Sequence, residues 1–266
     1  MRTMMKYLVI GSVTLLMAWG CTAVHTKLSA DSMEAWQQIK ENYDNGHYIT
    51  ASEQLKVFTL ANSSFARIDS AHFLLAKAHE NLKEYILAAN AYERLIRDYP
   101  NSELADKAQF GIAESYFRQS PHYGLAQENT ETAITEYQIL LEEFPTSLEV
   151  PKAEERIYEL RSKMAHKDFD AGRLYHRQKS YRAALKYYDY ILTTFYDTDW
   201  AVDALYYAAE CHYKREELEM AQEYFAAFVQ RYEGHDKVDL ARRYLEEIRK
   251  ELKQRPAANA APEPEN

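Results

Sequence analysis

Residues 84–102 read EYILAANAYERLIRDYPNS, and this stretch decides the fold. Its apolar positions recur every three or four residues: Tyr85, Ala88, Tyr92 and Leu95. They therefore share one face of an α-helix. Pro100 ends that helix, because proline lacks an N–H and its ring clashes with the preceding turn. A small residue among larger apolar ones indicates that another helix packs very close at Ala88.

The same skeleton occurs five times in the chain. Each copy has a reference alanine, a large apolar residue four and seven positions later, and a second alanine twenty positions later. The reference alanines are Ala51, Ala88, Ala133, Ala184 and Ala221. Their spacings are 37, 45, 51 and 37 residues. Internal repeats of this size are typical of a helical solenoid.

The pattern Y-x-x-A-x-x-x-Y-x-x-L followed by proline resembles the second helix of a tetratricopeptide repeat. That family has a small residue twelve positions before the reference alanine, where the two helices of a repeat cross. Small residues occupy this position in four copies, once about eight extra residues are skipped in the third: Ala76, Ala113, Gly172 and Ala209. Ile39 in the first copy and Tyr196, in place of proline in the fourth, depart from the pattern. The predicted fold class is all-α, a tetratricopeptide-repeat solenoid of about five helix-turn-helix repeats with a C-terminal capping helix.

The predicted layout has five parts. They are a lipoprotein signal peptide (1–20), a lipidated tether (21–31), repeats 1–3 (32–147), a long linking helix with repeats 4–5 and a capping helix (148–254), and a disordered tail (255–266). The run from Pro151 to about Gln178 forms either one long helix or two helices joined end to end. The capping helix, Lys237–Gln254, is expected to pack through Leu240, Tyr244, Leu245 and Ile248.

The N-terminal residues predict secretion and lipidation. Arg2 and Lys6 precede an apolar run over residues 7–19, which is typical of a signal peptide and short for a membrane span. The alternative is an anchor that stays attached. The sequence AWGC that ends at Cys21 resembles a lipoprotein cleavage box, which implies a covalent lipid on Cys21. Thr22 stands where lipoproteins retained at the inner membrane usually carry aspartate, so the resemblance implies the outer membrane.

Composition and motifs argue against several functions. The net charge of −9 and the lack of a basic stripe with interleaved aromatics argue against nucleic-acid binding. No catalytic constellation is recognisable, and the repeats use nearly all of residues 32–254, so we predict no enzyme, no metal and no cofactor beyond the lipid. His166, Asp168, Asp170 and His176 come nearest to a ligand set, but we interpret them as a solvated helix face. Cys211 is interpreted as a small buried thiol.

Aromatic residues recur three positions before the helix-crossing position. They are Trp36, Phe73, Phe110, Phe169 and Tyr206, and cations follow one turn later at Lys40, Lys77 and Arg173. The family resemblance implies that such rings face a concave groove that binds extended peptides. The alternative is that they only pack between neighbouring helices, and both readings stay open here. A ring beside a cation suits a peptide with aromatic residues and a carboxylate terminus.

Three stretches resemble one family of repeat lipoproteins more closely: residues 127–147, 165–181 and 196–207. It is the BamD or YfiO type, the lipoprotein of the outer-membrane β-barrel assembly machine. The resemblance implies a non-enzymatic scaffold on the periplasmic face of the outer membrane, beside the machine's other lipoproteins. Its N-terminal half would bind unfolded barrel proteins through Trp36, Lys40, Phe73, Lys77 and Phe110. Its C-terminal half would bind a POTRA-bearing insertase of the BamA type through Phe169, Arg173 and Tyr206.

A second function remains open. Related repeat proteins of the cell envelope act as adaptors that coordinate peptidoglycan or division factors, usually without a lipid anchor.

Overall fold

The structure, a computed structural model, describes residues 31–254, and these contain helices and turns but no strand. The helices are α1 (residues 31–44), α2 (Tyr48–Ala61), α3 (Ile68–Asn81), α4 (Tyr85–Asp98), α5 (Ala105–Gln119), α6 (Glu128–Glu143), α7 (Val150–Arg177), α8 (Tyr181–Thr194), α9 (Asp199–Lys214), α10 (Leu218–Arg231) and α11 (Val238–Gln254). The predicted signal peptide, Cys21, the tether up to residue 30 and the tail 255–266 lie outside the described residues.

Alanine contacts set the spacing of the helices. All five reference alanines and all five alanines twenty positions later are completely buried: Ala51, Ala71, Ala88, Ala108, Ala133, Ala153, Ala184, Ala204, Ala221 and Ala241. A side chain of one carbon lets two helix backbones approach closely, so each alanine marks a helix contact. The predicted all-α repeat fold is confirmed.

The helices pack mainly on their neighbours along the chain, as in α2 with α3, α3 with α4, α4 with α5, α8 with α9, α9 with α10 and α10 with α11. The described residues form two compact units. The first comprises 31–120 and 129–153, and the second comprises 121–128 and 154–254. The first unit has a core around Trp36, Tyr92 and Leu95. The second has one core around Phe169 and Tyr188 and another around Phe225 and Phe228.

The linking region is a single continuous helix, α7, of 28 residues. The choice between one helix and two is therefore settled in favour of one. The boundary between the two units falls after Ala153, inside this helix. None of the described helices combines the length and the apolar character that a membrane crossing requires.

The turns inside four of the five repeats, all but the third, share a left-handed residue. Five positions before the reference alanine, φ is +80° at Gly46 and about +60° at Lys83, Lys179 and Glu216. Glycine adopts this conformation without steric cost, whereas lysine and glutamate are strained in it. The fold therefore demands this turn even where the sequence does not supply glycine.

The apolar face of α11 differs from the expectation at one residue. Leu245 and Ile248 are buried as predicted and Tyr244 is half-buried, but Leu240 is 45% exposed, so its assignment to this face is wrong. Val238 and Ala241 are buried instead, because the helix presents positions 238, 241, 245 and 248 to α10.

Candidate functional site

The first unit contains a cavity of about 690 Å³, which we call the first-unit cavity. Rings line it from five helices: Tyr43, Tyr48, Phe73, Tyr85, Tyr92 and Phe110. Charged side chains also line it: Lys77, Glu80, Lys107, Glu114, Arg118, Glu149 and Lys152. The cavity can therefore hold an apolar ring and a charged group side by side.

Two of the predicted aromatic residues are fixed within this cavity by other rings. Phe73 lies edge-on to Tyr92, with 5.4 Å between ring centroids. Phe110 lies 5.8 Å from Tyr137, and Lys152 Nζ is 4.9 Å from the centroid of the Phe110 ring. Both rings stay half-exposed. Phe110 with Lys152 is thus a ring already paired with a cation.

The positive charges of the cavity are only partly neutralised. Lys77 pairs with Glu80, and Arg118 lies 3.7 Å from Glu114. Neither Lys107 nor Lys152 has a carboxylate partner within the described part of the chain. A ligand with a carboxylate would therefore find two unpaired ammonium groups.

The buried hydroxyl group of Tyr92 holds one of the charged residues that line the cavity. Tyr92 donates a hydrogen bond of 2.8 Å to Glu80 Oε1. Burial, reinforced by the Glu80 charge, raises the pKa of Tyr92 well above its ordinary value, so this hydroxyl stays protonated and donates. The second carboxylate oxygen of Glu80 holds Lys77, which orients that lysine toward the cavity.

Trp36 and Lys40 do not line the first-unit cavity. Trp36 is 7% exposed and packs against Phe58 and Phe65 at centroid distances of 6.1 and 6.0 Å. Lys40 is exposed. The structure therefore brings Phe73, Lys77 and Phe110 together and leaves the other two apart. The peptide-binding role of all five residues stays a prediction.

The residues predicted to bind the insertase lie mostly in the core of the second unit. Phe169 is 8% exposed, and its ring lies 5.2 Å from that of Trp200. Tyr206 is 2% exposed and packs on Phe225 and Phe228. Arg173 is half-exposed, with its guanidinium 4.1 Å above the ring of Tyr207. Of these three residues, only Arg173 has a side chain exposed enough to contact a partner directly.

The interpretation of His166 as part of a solvated face is wrong. Its ring lies between Tyr123 and Trp200, with centroid distances of 3.9 and 4.1 Å. The Asp170 carboxylate lies 3.7 Å from His166 and accepts a hydrogen bond from Tyr123, which raises the pKa of Tyr123. No group of three or more ligand-type side chains within residues 31–254 could hold a metal ion.

Sequence reasoning missed Lys107, Lys152 and this ring stack. Lys107 and Lys152 do not occupy the repeat positions at which the predicted aromatic residues and cations recur. The repeat pattern therefore gives no reason to select them. Pro121 and Gly124 are residues typical of a loop, but neither indicates that the Tyr123 ring between them packs on His166. Cys211 is completely buried as predicted, and burial raises its thiol pKa to about 12.

A family model described as outer membrane lipoprotein, YfiO, matches residues 29–224. The chain belongs to the YfiO family. The match spans the described helices from α1 to the middle of α10, and so includes the first-unit cavity and most of the second unit. The predicted family is therefore confirmed.

No curated protein matches the YfiO-family chain. Similar solved structures include a tetratricopeptide-repeat protein of Bacteroides fragilis (14% identity, 83% of this chain and 98% of that one, TM-score 0.45). Two others are the TPR2AB domain of yeast Sti1 in its pHSP90 complex (13%, 84% and 85%, 0.43) and a repeat protein of Parabacteroides merdae (15%, 84% and 73%, 0.36). All three TM-scores lie below 0.5, so the fold assignment rests on the buried alanines and helix pairs of the chain itself.

Proposed function

We propose that this YfiO-family chain is a lipid-anchored periplasmic scaffold of the outer-membrane β-barrel assembly machine. It binds a POTRA-bearing insertase and unfolded barrel proteins and performs no chemistry of its own. The family match over residues 29–224 is the observation that carries the proposal. Its membership in a family of outer membrane lipoproteins supports a covalent lipid on Cys21, and the resemblance at the cleavage box supports cleavage before that residue.

The first-unit cavity supports the substrate part of the proposal. A barrel-protein segment with an aromatic residue and a carboxylate terminus places its ring against Phe110 and Phe73. Its carboxylate meets Lys107 and Lys152, whose charges no described carboxylate neutralises. An extended peptide also needs a rigid receptor, because ordering both partners costs affinity. The ring contacts of Phe73 and Phe110 supply that rigidity.

The second unit takes the insertase in this proposal. Arg173 is held over Tyr207, and five donors of a planar guanidinium suit a carboxylate on the partner. Phe169 and Tyr206 support the surface from within, since both are buried. The other lipoproteins of the machine are further partners.

Co-purification tests the proposal. Full-length protein with a C-terminal affinity tag is recovered from detergent-solubilised membranes, and the bound proteins are identified. We expect a POTRA-bearing barrel protein to be retained, together with other lipoproteins. Recovery of peptidoglycan or division factors without such a barrel protein would contradict the proposal and favour the adaptor function.

A further inference from the structure

A basic surface stands out on the second unit of this acidic chain. Residues 171–188 contain five Lys or Arg side chains and no Asp or Glu, although the whole chain has 41 acidic residues against 32 basic ones. The end of α7, the following turn and the first half of α8 carry this run. The repeat pattern requires small residues in this segment only at Gly172 and Ala184, so it does not explain this local excess of positive charge.

The run contributes to a concave surface that we call the basic patch. It surrounds a cavity of about 550 Å³ lined by four cations, Lys179, Arg182, Lys186 and Arg215, and otherwise by Ser180, Tyr181 and Ala183. None of these lining residues is acidic. All four cations are exposed.

Three of the four positive charges are unpaired. Arg215 is neutralised by Glu217, with Nε 2.9 Å from Oε1. Lys179, Arg182 and Lys186 have no carboxylate partner anywhere in residues 31–254. Like charges held together without acids repel one another, so a bound anion would stabilise the patch.

We propose that the basic patch binds the phosphate groups of anionic phospholipids at a membrane surface. Membership in a family of outer membrane lipoproteins places a bilayer next to this chain, whatever other partners it has. The choice of a bilayer as the occupant rests on that family membership, whereas the vesicle test below depends neither on lipidation of Cys21 nor on insertase binding. It adds a second, electrostatic contact with the membrane.

The side chains around the patch fit a bilayer better than an acidic protein. Arg182, Lys186 and Tyr190 are spaced by four residues on one face of α8, and Tyr190 is 48% exposed. Tyrosine beside lysine and arginine is typical of membrane interfaces, where the ring sits at the level of the headgroups. A protein interface would instead bury an apolar centre from which charged residues are depleted.

Vesicle binding of an unlipidated full-length mature chain tests the inference. Cys21→Ser removes the acylation site, so that binding reports protein contacts only. The probes are vesicles of phosphatidylcholine with phosphatidylglycerol and vesicles of phosphatidylcholine alone, separated by sedimentation. We expect binding only to the anionic vesicles, and binding that weakens as salt screens the charges.

The test variant combines Lys179→Gln, Arg182→Gln and Lys186→Gln. Each cation near an anionic surface contributes about fivefold to partitioning, so the triple variant should lose on the order of a hundredfold. The control combines Arg243→Gln, Arg249→Gln and Lys250→Gln on α11, three exposed cations without a carboxylate partner in the described chain. It changes the net charge equally and should bind like the parent. Circular dichroism shows that both variants fold.

Several outcomes overturn the inference. Equal losses in both triple variants would mean that net charge alone attracts the protein. Absence of binding to anionic vesicles would leave an acidic protein as the occupant. Displacement by inorganic phosphate at matched phosphate concentration would assign the patch to free phosphate. Binding that persists in salt and is lost only in the Lys179, Arg182 and Lys186 variant would also contradict an electrostatic contact.

Discussion

His79 Nδ1 lies 2.6 Å from Glu84 Oε2, and the backbone N–H of Glu84 donates to the carbonyl of His79 at 2.9 Å. The fifth repeat has the same pair of contacts between His212 and Glu217, with distances of 2.7 Å for the side chains and 3.0 Å for the backbone. In both repeats the histidine lies in the last turn of the first helix and the glutamate directly precedes the second. A double contact of this kind fixes the turn that contains a left-handed residue, Lys83 or Glu216.

The contacts of Glu217 with Arg215 and His212 predict a pH dependence of stability. Hydrogen bonds from Arg215 and, to a smaller extent, His212 hold the pKa of Glu217 below its ordinary value. A lowered pKa contributes stability above the unfolded pKa of about 4.3, and this is lost as pH falls through the folded pKa. We expect Glu217→Gln to cost about 0.5 kcal/mol at pH 7, after solvent screening, and little at pH 3. Urea unfolding at both pH values measures this. Glu223→Gln, at an exposed position in the middle of α10, is the control, and an equal loss there would contradict the prediction.

Tyrosines at one repeat position should respond oppositely to loss of their hydroxyl group. Tyr92 donates to Glu80, whereas the Tyr188 hydroxyl is buried and has no hydrogen-bond partner among the described residues. We expect Tyr92→Phe to destabilise by about 1.5 kcal/mol and Tyr188→Phe to be neutral or to stabilise by about 1 kcal/mol. Denaturant unfolding of the two variants checks the sign. Equal losses would show that Tyr188 has a partner after all.

Gly172 allows the helices of the fourth repeat to cross. A Cβ added there would lie 2.6 Å from Cε1 of the buried Tyr188 ring. Overpacking costs about 1–3 kcal/mol, and alanine recovers about 1 kcal/mol through its helix propensity. We therefore expect Gly172→Ala to destabilise by about 1 kcal/mol. Glu155→Ala, at an exposed position of α7, should stay within about 0.5 kcal/mol. A more stable Gly172→Ala protein would mean that a methyl group fits between Gly172 and the Tyr188 ring without overpacking.

The two units should separate the two binding functions. We expect Phe110→Ala and Phe73→Ala to weaken binding of a barrel-protein C-terminal peptide by roughly thirtyfold, the usual effect of removing an aromatic anchor. Insertase binding should survive. Arg173→Gln should do the reverse, with Arg243→Gln as its exposed control. Fluorescence titration and pull-down give the two readouts, after circular dichroism shows folding. Loss of the insertase in the Phe110 variant would show that the functions are assigned to the wrong units.

Trp36→Ala tests the predicted peptide-binding role of Trp36, but the substitution also affects stability. Its ring belongs to the core, so truncation should destabilise the first unit by about 3–5 kcal/mol. Peptide binding by this variant is informative only at a temperature where it remains folded. Weaker binding there would support the role predicted for Trp36.

The anchor prediction concerns Cys21. Cys21→Ala should abolish acylation and leave the protein uncleaved or soluble, because its thiol is the proposed site of attachment. Metabolic labelling with a fatty-acid analogue is the measurement. Two acyl chains are needed for stable anchoring, so partly modified protein should leak from membranes. An unlabelled wild-type protein would end the lipidation claim.

The alanine positions could be predicted because helix crossing restricts side-chain size at a fixed period. All ten alanines of the frame are buried, and the small crossing residues are buried with them. The left-handed turns could not be predicted as a set. Gly46 signals one, but lysine and glutamate at the equivalent positions have no such preference. There the surrounding helices impose the conformation.

The candidate site was only half predictable for a related reason. The repeat frame gives the direction of a side chain but not what else fills the space in front of it. Trp36 and Phe73 share a frame position, yet Phe58 and Phe65 enclose Trp36 while Phe73 stays half-exposed at a cavity. Likewise, the contacts of His166 with Tyr123 and Trp200 join residues more than thirty positions apart, where no periodicity operates.

Helix α7 has a consequence for how such a protein can evolve. Repeat arrays usually grow and shrink by duplicating or deleting whole hairpins, with breakpoints in the connecting loops. Here the boundary between the units falls inside a helix of 28 residues. A crossover at that boundary would join parts of α7 from two different sequences, and the hybrid helix would have to stay continuous between Ala153 and Leu160, both completely buried. We therefore expect exchange of one whole unit between related chains to be less well tolerated than exchange at a loop.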